Sequence, residues 1–392
     1  MQASQRINTL LGGGSDGWEV FLRARQMIAG GTPVTELTIG EHDIRTAAPI
    51  LQEMHRTALA GQTGYAAISG IPALRDAIAK RVSARTGTQT RPENVMITPG
   101  GQSALFGAHM ATLDPGDTAL YIDPYYATYP GTLRGVSALP LAIKAQASLA
   151  FQPCAADIAA YAPGAKTLLV NSPNNPTGVV YSRETLEGIA QVCRAHDLWL
   201  ISDEVYDTQI WEGAHISPRS LEGMAERTLV VGSMSKSHAI TGSRIGWVIG
   251  PEDIIVHLVN LATHTTYGVP GFIQHAALFA LEQGDAFEAQ IAEPFRRRRD
   301  LALAVLASQN TVTAIPNGGA MYMMLDISTT GLSGEAFAHA LLETHQIAVM
   351  PGESFGAAAA GHIRVAMTVD DAAFAAALRT LCGFAESLNA GR

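Results

Sequence analysis

The chain has 392 residues, of which 47% are hydrophobic and 16% charged, with a formal net charge of −9. This balance is typical of a globular protein with a large core or subunit interface, and it argues against a nucleic-acid-binding or anionic-membrane surface. The three scattered cysteines have no metal-ligand spacing and no apolar run approaches the ~18 residues of a membrane helix, so we expect a cytoplasmic protein with reduced thiols, no metal and no membrane contact.

The N-terminal segment predicts a helix from about Trp18 to Ala29 and a strand over Thr35 to Ile39. Between residues 12 and 17 the letters Gly-Gly-Gly-Ser-Asp-Gly satisfy G-x-G-x-x-G. A dinucleotide-binding loop of this kind needs a strand before it and an acidic residue at the end of a second strand. Neither is present, so we interpret the match as chance.

From Thr46 onward helical and strand patterns alternate, which predicts an α/β fold with a mostly parallel central sheet covered by helices. Predicted strands lie at 94–98, 119–122, 167–171, 198–202, 228–231 and 245–249, and predicted helices at 49–60, 72–86, 103–112 and 183–196. Beyond Asp285 the pattern has more helix and shorter strands, at about 311, 322–325, 347–350 and 363–367. We therefore divide the chain into an N-terminal segment (1–45) that packs with a smaller C-terminal α+β domain (285–392), and a large domain (46–284). The four arginines at 296–299 fit the solvated face of a helix.

Five residues that carry chemistry follow directly after predicted strands: Gly101, Tyr126, Asn175, Asp203 and Lys236. Parallel sheets bind ligands at the carboxyl ends of their strands, so we expect these residues to meet there.

The residue types near Lys236 are those that pyridoxal phosphate chemistry requires: an amine for a Schiff base, an acid for the pyridine nitrogen, and donors for a phosphate. Asp203 follows apolar residues with no nearby cation, and a buried carboxylate needs a cationic partner. The turn at Gly100-Gly101-Gln102 before a helix is a phosphate seat or an ordinary turn. Arg364, inside an apolar strand, either pairs with a structural carboxylate or binds a substrate carboxylate.

Taken together, several motifs resemble the class I aminotransferases, in particular their aspartate-aminotransferase-like subgroup. These are pyridoxal-phosphate-dependent transferases of fold type I. The motifs run in the family's order over nearly the whole chain: Tyr65-x4-Gly70-Ile71-Pro72-x-Leu74-Arg75, Pro173-Asn174-Asn175-Pro176-Thr177-Gly178, Ser202-Asp203-Glu204-Val205-Tyr206, and Ser233-x-Ser235-Lys236 with Arg244.

The resemblance implies a role for each matched residue. Lys236 is implied to form the Schiff base and to move protons, Asp203 to hold the pyridine nitrogen, and Tyr206 and Asn175 to bond the phenolic oxygen. The further implied contacts are an aromatic ring on the cofactor face (Tyr126), phosphate ligands (the Gly101 and Gln102 backbone, Ser233, Ser235, Arg244 and, from the neighbouring subunit of a homodimer, Tyr65), and a grip on the substrate α-carboxylate (Arg364 with Gly40 and Asn175).

Two departures from the family's pattern affect the expected substrate. His42 replaces the usual proline of Gly-Glu-Pro-Asp. Gln102 stands where relatives that accept aspartate or glutamate carry a lysine, which favours a neutral or aromatic amino acid as donor to a 2-oxo acid. Two other functions stay open: a lyase or synthase of the same fold (a C–S lyase, or one like aminocyclopropane-carboxylate synthase), and a non-catalytic cofactor-binding sensor. Such sensors carry a DNA-binding domain ahead of this fold, for which about 40 residues leave no room.

Overall fold

The computed structural model describes residues 1–12 and 17–390, so most of the G-x-G-x-x-G match lies outside the described residues. A seven-stranded sheet forms the centre of the molecule, and a four-stranded sheet and a two-stranded pair lie apart from it. The strands are β1 (Thr35–Glu36), β2 (Val95–Thr98), β3 (Thr118–Asp123), β4 (Leu139–Lys144), β5 (Ala165–Asn171), β6 (Trp199–Asp203), β7 (Thr228–Ser233), β8 (Gly246–Ile249), β9 (Thr313–Ala314), β10 (Tyr322–Asp326), β11 (Ile347–Ala348), β12 (Met350–Pro351) and β13 (His362–Ala366).

The central sheet has the order β2-β8-β7-β6-β5-β3-β4. Strands β4, β3, β5, β6 and β7 pair in parallel, and β8 runs antiparallel to both of its neighbours. The predicted α/β fold with a mostly parallel sheet is therefore confirmed. Strands β2, β7 and β8 are buried along their whole length, which explains why their sequences read as continuous apolar runs.

Helices cover the two faces of this sheet and surround the smaller ones. Within the described residues they are α1 (Gln5–Asn8), α2 (Glu19–Ala29), α3 (Ala48–Leu59), α4 (Pro72–Thr86), α5 (Gly101–Thr112), α6 (Tyr129–Gly135), α7 (Ala155–Tyr161), α8 (Arg183–Ala195), α9 (Met234–Ser237), α10 (Glu252–Thr263), α11 (Gly271–Glu282), α12 (Gly284–Leu306), α13 (Gly334–His345) and α14 (Asp371–Ala390). The sequence patterns did not predict α6, α7, α10, α11 or strand β4. None of the helices described is both long and apolar enough to cross a lipid bilayer.

The smaller sheet is antiparallel, with the order β12-β13-β10-β9, and β1 pairs in parallel with β11. The predicted strand at 347–350 is in fact two strands, because the chain changes partner at Val349: β11 bonds to β1 and β12 bonds to β13. The predicted strand at 35–39 ends at Glu36 because this segment also changes partner. Residues 35 and 36 pair with β11, whereas the Leu37 carbonyl accepts from Ala366 N in β13 at 2.9 Å. These contacts join residues 35–37 to the C-terminal part of the chain. The boundaries at 45 and 284 stay a prediction.

The arginine run at 296–299 lies in the middle of α12, and its description as a solvated face is wrong for two of its members. Arg298 and Arg299 are buried. Arg298 donates to both carboxylate oxygens of Asp43, at 3.0 and 2.6 Å, and to Asp371 at 2.9 Å. The two aspartates neutralise the guanidinium of Arg298. Because Arg298 lies in α12 and Asp371 begins α14, these bonds join the segment around Asp43 to both helices.

Candidate active site

The carboxyl ends of β5, β6 and β7 open into a cavity of about 320 Å³. Every predicted site residue except Tyr65 lines this cavity. These residues are Gly40, Gly101, Gln102, Tyr126, Asn175, Asp203, Tyr206, Ser233, Ser235, Lys236, Arg244 and Arg364. The rule that parallel sheets bind ligands at this edge therefore correctly predicted where the polar residues meet.

Lys236 lies in the four-residue helix α9, which follows β7 directly. The Ser233 hydroxyl caps this helix by accepting from Ser235 N at 3.1 Å. The Lys236 ammonium donates to the Gly40 carbonyl oxygen. The cap and this bond together hold the amine of Lys236 at the wall of the cavity.

Asp203 ends β6 with its carboxylate fully buried. Its Oδ2 accepts from the Tyr129 hydroxyl at 2.7 Å, and its Oδ1 accepts from Val205 N at 3.4 Å. Burial raises the pKa of Asp203 to about 6, against the lowering effect of the Tyr129 hydrogen bond. No cation in the described part of the chain forms an ion pair with it, so the carboxylate can gain stability from a positively charged ligand group.

Tyr206 and Tyr322 share a hydrogen bond of 3.1 Å between their hydroxyl groups. Burial and the neighbouring Tyr322 raise the pKa of Tyr206 well above its usual value, so its hydroxyl stays protonated and is a donor at neutral pH. The ring of Tyr126 meets that of Tyr129 edge-on, with centroids 5.7 Å apart. A donor and an aromatic face thus lie on the same cavity as the Asp203 carboxylate.

The opposite end of the cavity is suited to an anion. Helix α5 begins at Gly101 with Gly100 as a cap that has no side chain, so the first backbone N–H groups have no side-chain partner and lie at the positive end of the helix dipole. A Cβ on Gly100 would overlap the Arg244 guanidinium, so glycine is what lets Arg244 approach the helix start. Ser235 lines the same region, whereas the Ser233 hydroxyl also donates inside the protein, to the Ile245 carbonyl at 3.3 Å.

Arg364 is buried and lies between two aromatic rings, with its guanidinium carbon 4.3 Å from the centroid of Tyr322 and 4.4 Å from that of Phe355. It donates to Asn175 Oδ1 at 2.8 Å and to the Thr38 carbonyl. Its Nε is buried without a hydrogen-bond partner. Among the described residues no carboxylate pairs with Arg364, which rules out the structural ion pair that the sequence left open.

Tyr129, Tyr322 and Asn171 also line the cavity, and the sequence analysis did not single out any of them. Asn171 donates to the Asp203 carbonyl at 2.9 Å and accepts from Asn175 N at 2.7 Å, so it positions two predicted site residues. As a polar residue at the end of a predicted strand, Asn171 could have been found by the rule that found Asp203. Tyr129 lies in a helix that was not predicted, and Tyr322 opens a strand in a different sheet, so nothing in the local pattern marked either one.

The two departures from the family's pattern occupy different environments. His42 packs edge-on against Phe295 with centroids 5.2 Å apart, and burial together with the charge of Lys236 lowers the pKa of His42 to about 4. The Gln102 amide donates to Thr132 Oγ1 at 2.8 Å and accepts from Thr128 Oγ1 at 3.1 Å. The amide nitrogen of Gln102 therefore bonds to helix α6, and its oxygen bonds to the residue that precedes this helix.

Tyr65 lies on the surface and is 91% exposed, with its ring 4.9 Å from that of Tyr267, which is also exposed. It has no contact with the cavity of its own chain. A role for Tyr65 in cofactor binding would have to be in another copy of the protein.

Three groups on the cavity wall fit pyridoxal phosphate: an amine, a buried carboxylate that has no cationic partner among the described residues, and an anion site at the start of a helix. A mostly parallel sheet with these groups at its carboxyl edge defines a pyridoxal-phosphate-dependent transferase of fold type I. The model of the class I and II aminotransferases matches residues 32–381, and the chain belongs to this family, whose cofactor is pyridoxal 5′-phosphate.

Relatives with this fold include named aminotransferases. The chain is 40% identical over 370 residues to the arginine–pyruvate transaminase of Pseudomonas aeruginosa, covering 94% of both proteins. It is 35% identical over 356 residues to the aspartate/prephenate aminotransferase of Thermus thermophilus, covering 90% of this chain and 91% of the relative. The solved structure of the Thermus thermophilus aspartate aminotransferase with maleate superposes with a TM-score of 0.91 at 34% identity, over 98% of this chain and 99% of that one. The predictions that the chain is a class I aminotransferase, that it is an enzyme and that its cofactor is pyridoxal phosphate are confirmed.

Proposed function

We propose that this aminotransferase transfers an amino group from a neutral or aromatic L-amino acid to a 2-oxo acid by a ping-pong mechanism, as a cytoplasmic homodimer. The observation that carries the proposal is the arrangement of Lys236, Asp203 and Arg364 on one cavity wall. An amine, a carboxylate and a carboxylate-binding fork are the three groups that this reaction needs from the protein.

In this proposal the cofactor lies between the two polar ends of the cavity. Asp203 would hold the pyridine nitrogen, with Tyr206 and Asn175 near the phenolic oxygen and Tyr126 at the ring face. The backbone of Gly101 and Gln102, Ser235 and Arg244 would bind the phosphate. Ser233 would join them only by turning its hydroxyl from the Ile245 carbonyl.

When bound, pyridoxal phosphate supplies an electron sink that stabilises negative charge at the substrate Cα. The residues of the chain do the remaining work. Asp203 keeps the ring nitrogen protonated, since an ionised carboxylate beside a ring N–H⁺ favours the charged pair. Arg364 binds the substrate α-carboxylate with Gly40 and Asn175, and Lys236 Nζ, released from the Gly40 carbonyl, moves a proton to and from the substrate Cα.

The expected substrate class rests on Gln102. Its amide donates to Thr132 and accepts from Thr128, so these two bonds hold the side chain against helix α6 and only one of its N–H donors is left for a ligand. A single uncharged donor is a poor partner for an acidic side chain, which favours neutral or aromatic donors. Because the first of the relatives named above acts on arginine and pyruvate, this pair belongs in the same substrate panel.

The proposal is tested by mixing the cofactor-loaded protein with amino acids and 2-oxo acids and measuring exchanged products. We expect exchange in two separable half-reactions, abolished in Lys236→Ala and unchanged in Lys166→Ala, which alters an exposed lysine at the edge of β5. Exchange that persists in Lys236→Ala would refute the assignment. Release of ammonia or a thiol without exchange would favour the lyase alternative.

A further inference from the structure

The carboxylate of Asp123 holds a segment that the proposed reaction depends on. Asp123 ends β3 and is 2% exposed. Its Oδ1 and Oδ2 lie 3.2 and 3.1 Å from Ala358 N, so both oxygens face one backbone donor. No lysine or arginine among the described residues forms an ion pair with Asp123, so no ion pair competes with its hydrogen bonds to this segment.

Two further contacts fix the same segment to the end of β3. Tyr125 N donates to the Phe355 carbonyl at 2.9 Å. Gly356, between the two bonded residues, has φ +115°, and a Cβ there would overlap Asp123 Oδ1 and lie 2.7 Å from the Tyr125 ring. Glycine is therefore required for the chain to pass this close to the carboxylate.

The segment fixed in this way carries Phe355, whose ring is one of the two that enclose Arg364. Phe355 is 1% exposed and its ring centroid is 4.4 Å from the guanidinium carbon of Arg364. Two rings that enclose a guanidinium restrict the orientation of its plane, which limits the directions in which its N–H groups can point. If the 355–358 segment loosens, one of the two rings that hold Arg364 moves with it.

We propose that Asp123 is a positioning residue for substrate binding: by anchoring residues 355–358 it holds Phe355 against Arg364 and keeps that guanidinium oriented toward the substrate α-carboxylate. This inference rests on the proposed role of Arg364. It extends the site to a carboxylate that does not line the cavity and that no motif marked.

The titration of Asp123 sets the conditions for a test. Burial raises the pKa of Asp123 to about 6, opposed by the backbone N–H groups of Ala358 and Ala357 and by the charge of Lys144 on β4. Tyr121 on β3 and Tyr125 just after it are titratable groups that also interact with the Asp123 carboxylate. At pH 8 the carboxylate is ionised and the anchor is complete. Asp123→Asn keeps the size of the side chain and removes its charge.

The experiment compares each amino acid with the amine that lacks its carboxylate, using L-phenylalanine with 2-phenylethylamine and L-alanine with ethylamine. The cofactor-loaded enzyme is mixed with each, and the half-reaction is followed by the loss of the cofactor absorbance at pH 8. We expect Asp123→Asn to lower the second-order rate constant of this half-reaction for the amino acids about tenfold, mostly through weaker substrate binding. The reason is that the charged acceptor that anchors residues 355–358, and so holds Phe355 against Arg364, is lost. The amines, which have no carboxylate for Arg364 to bind, should react as with the parent enzyme.

Two further variants serve as a control and as an independent test. Asp326→Asn alters a half-buried strand-end aspartate that accepts from Ser328 N at 2.8 Å, and it should change neither reaction. Ala358→Pro removes the backbone N–H that donates to the Asp123 carboxylate, and it should reproduce the Asp123→Asn result. Either variant therefore tests the inference if the other fails to fold. An equal loss for amino acids and amines, or no loss for the amino acids, would overturn the inference.

Arg364→Lys separates this inference from the proposal it rests on. It should impair the amino acids and spare the amines, since it keeps the charge and loses the fork. If Arg364→Lys shows that difference and Asp123→Asn does not, only the role of Asp123 fails. If Arg364→Lys does not show it, the assignment of Arg364 itself fails.

Discussion

The hydroxyl of Tyr129 donates a hydrogen bond of 2.7 Å to the carboxylate of Asp203, and both groups are buried. This bond lowers the pKa of Asp203, against the larger opposite effect of burial. Tyr129 therefore helps keep the carboxylate ionised, as the proposed pairing of Asp203 with a cationic ring nitrogen requires.

Removal of this hydroxyl should weaken cofactor binding. In Tyr129→Phe the pKa of Asp203 rises further and one bond to the charged group is lost, so we expect the affinity of the apoprotein for pyridoxal phosphate at pH 7 to fall about tenfold. Equilibrium titration followed by absorbance measures this. Tyr181→Phe is the matched control, because Tyr181 is equally buried but packs in a core away from the cavity. Equal affinity in both variants would contradict the role of Tyr129.

The stabilisation that the cofactor gives should depend on pH. The usual pKa of an aspartate is 3.8 and that of Asp203 is about 6, so between these values the folded apoprotein holds a proton that the unfolded chain has lost. The contribution of Asp203 to the free energy of unfolding therefore falls as pH rises through this window, by about 3 kcal/mol in total. In the proposed complex, a ring cation beside the carboxylate would reverse this loss.

We thus expect the rise in Tm on adding pyridoxal phosphate to be larger at pH 8 than at pH 5. The buried Asp123 titrates in the same range, but its effect is shared by the two forms and cancels in the difference. Asp203→Asn should reduce the pH dependence of the shift, leaving the part that comes from Schiff-base formation at Lys236. The same pH dependence in Asp203→Asn would show that Asp203 does not meet a cation.

Gly40 should not tolerate a side chain. A Cβ at this position would overlap the Tyr322 hydroxyl, so Gly40→Ala should lower the free energy of unfolding by about 1–3 kcal/mol and reduce activity. Adding Tyr322→Phe removes the overlapping hydroxyl and should restore part of both. Gly64→Ala, where a Cβ has no neighbour within 4 Å, should stay within about 0.5 kcal/mol of the parent. Strictly additive effects of Gly40→Ala and Tyr322→Phe would show that the two positions are independent.

Gln102 should control the preference between neutral and acidic donors. Gln102→Lys places a cation where the amide now bonds Thr132 and Thr128, so kcat/KM for aspartate relative to alanine should rise at least tenfold. Steady-state rates with both donors and one 2-oxo acid measure the ratio. Gln102→Met removes the amide without adding charge and should not raise it; a similar rise in both variants would mean that charge is not the cause.

Tyr65 should act in the site of a second copy. We expect Tyr65→Ala to weaken cofactor binding, and Lys236→Ala to be inactive. When the two variants are unfolded and refolded together, a mixed dimer has one site with Lys236 from one chain and Tyr65 from the other, so part of the parent activity should return. No recovery in mixtures that size measurements show to contain mixed dimers would place Tyr65 outside the neighbouring site.

The sequence predicted most of the groups on the cavity wall because each follows a strand or belongs to a motif. Asp203, Asn175 and Lys236 follow parallel neighbours β6, β5 and β7, so their meeting follows from strand direction alone. Arg364 has no such local signal. Its place depends on the pairing of β13 with β10, and its rings come from Tyr322 and Phe355. A cation inside an apolar strand left a structural and a substrate-binding role open, and only the family resemblance chose between them.

Other features could not be predicted because they depend on long-range partners. Whether Arg298 is solvated or buried is decided by Asp43 and Asp371, which are 255 and 73 residues away along the chain. The split of the 347–350 strand likewise depends on which sheet each half joins. Local periodicity describes the faces of an element and carries no information about its distant neighbours.

Arg364 lies on the last strand of the chain, only a few residues before the final helix. During synthesis, Asp203 and Lys236 leave the ribosome more than a hundred residues earlier, with the sheet that supports them. Every strand of the central sheet is therefore synthesised before Arg364, so the groups proposed to hold the cofactor precede the arginine proposed to bind the substrate.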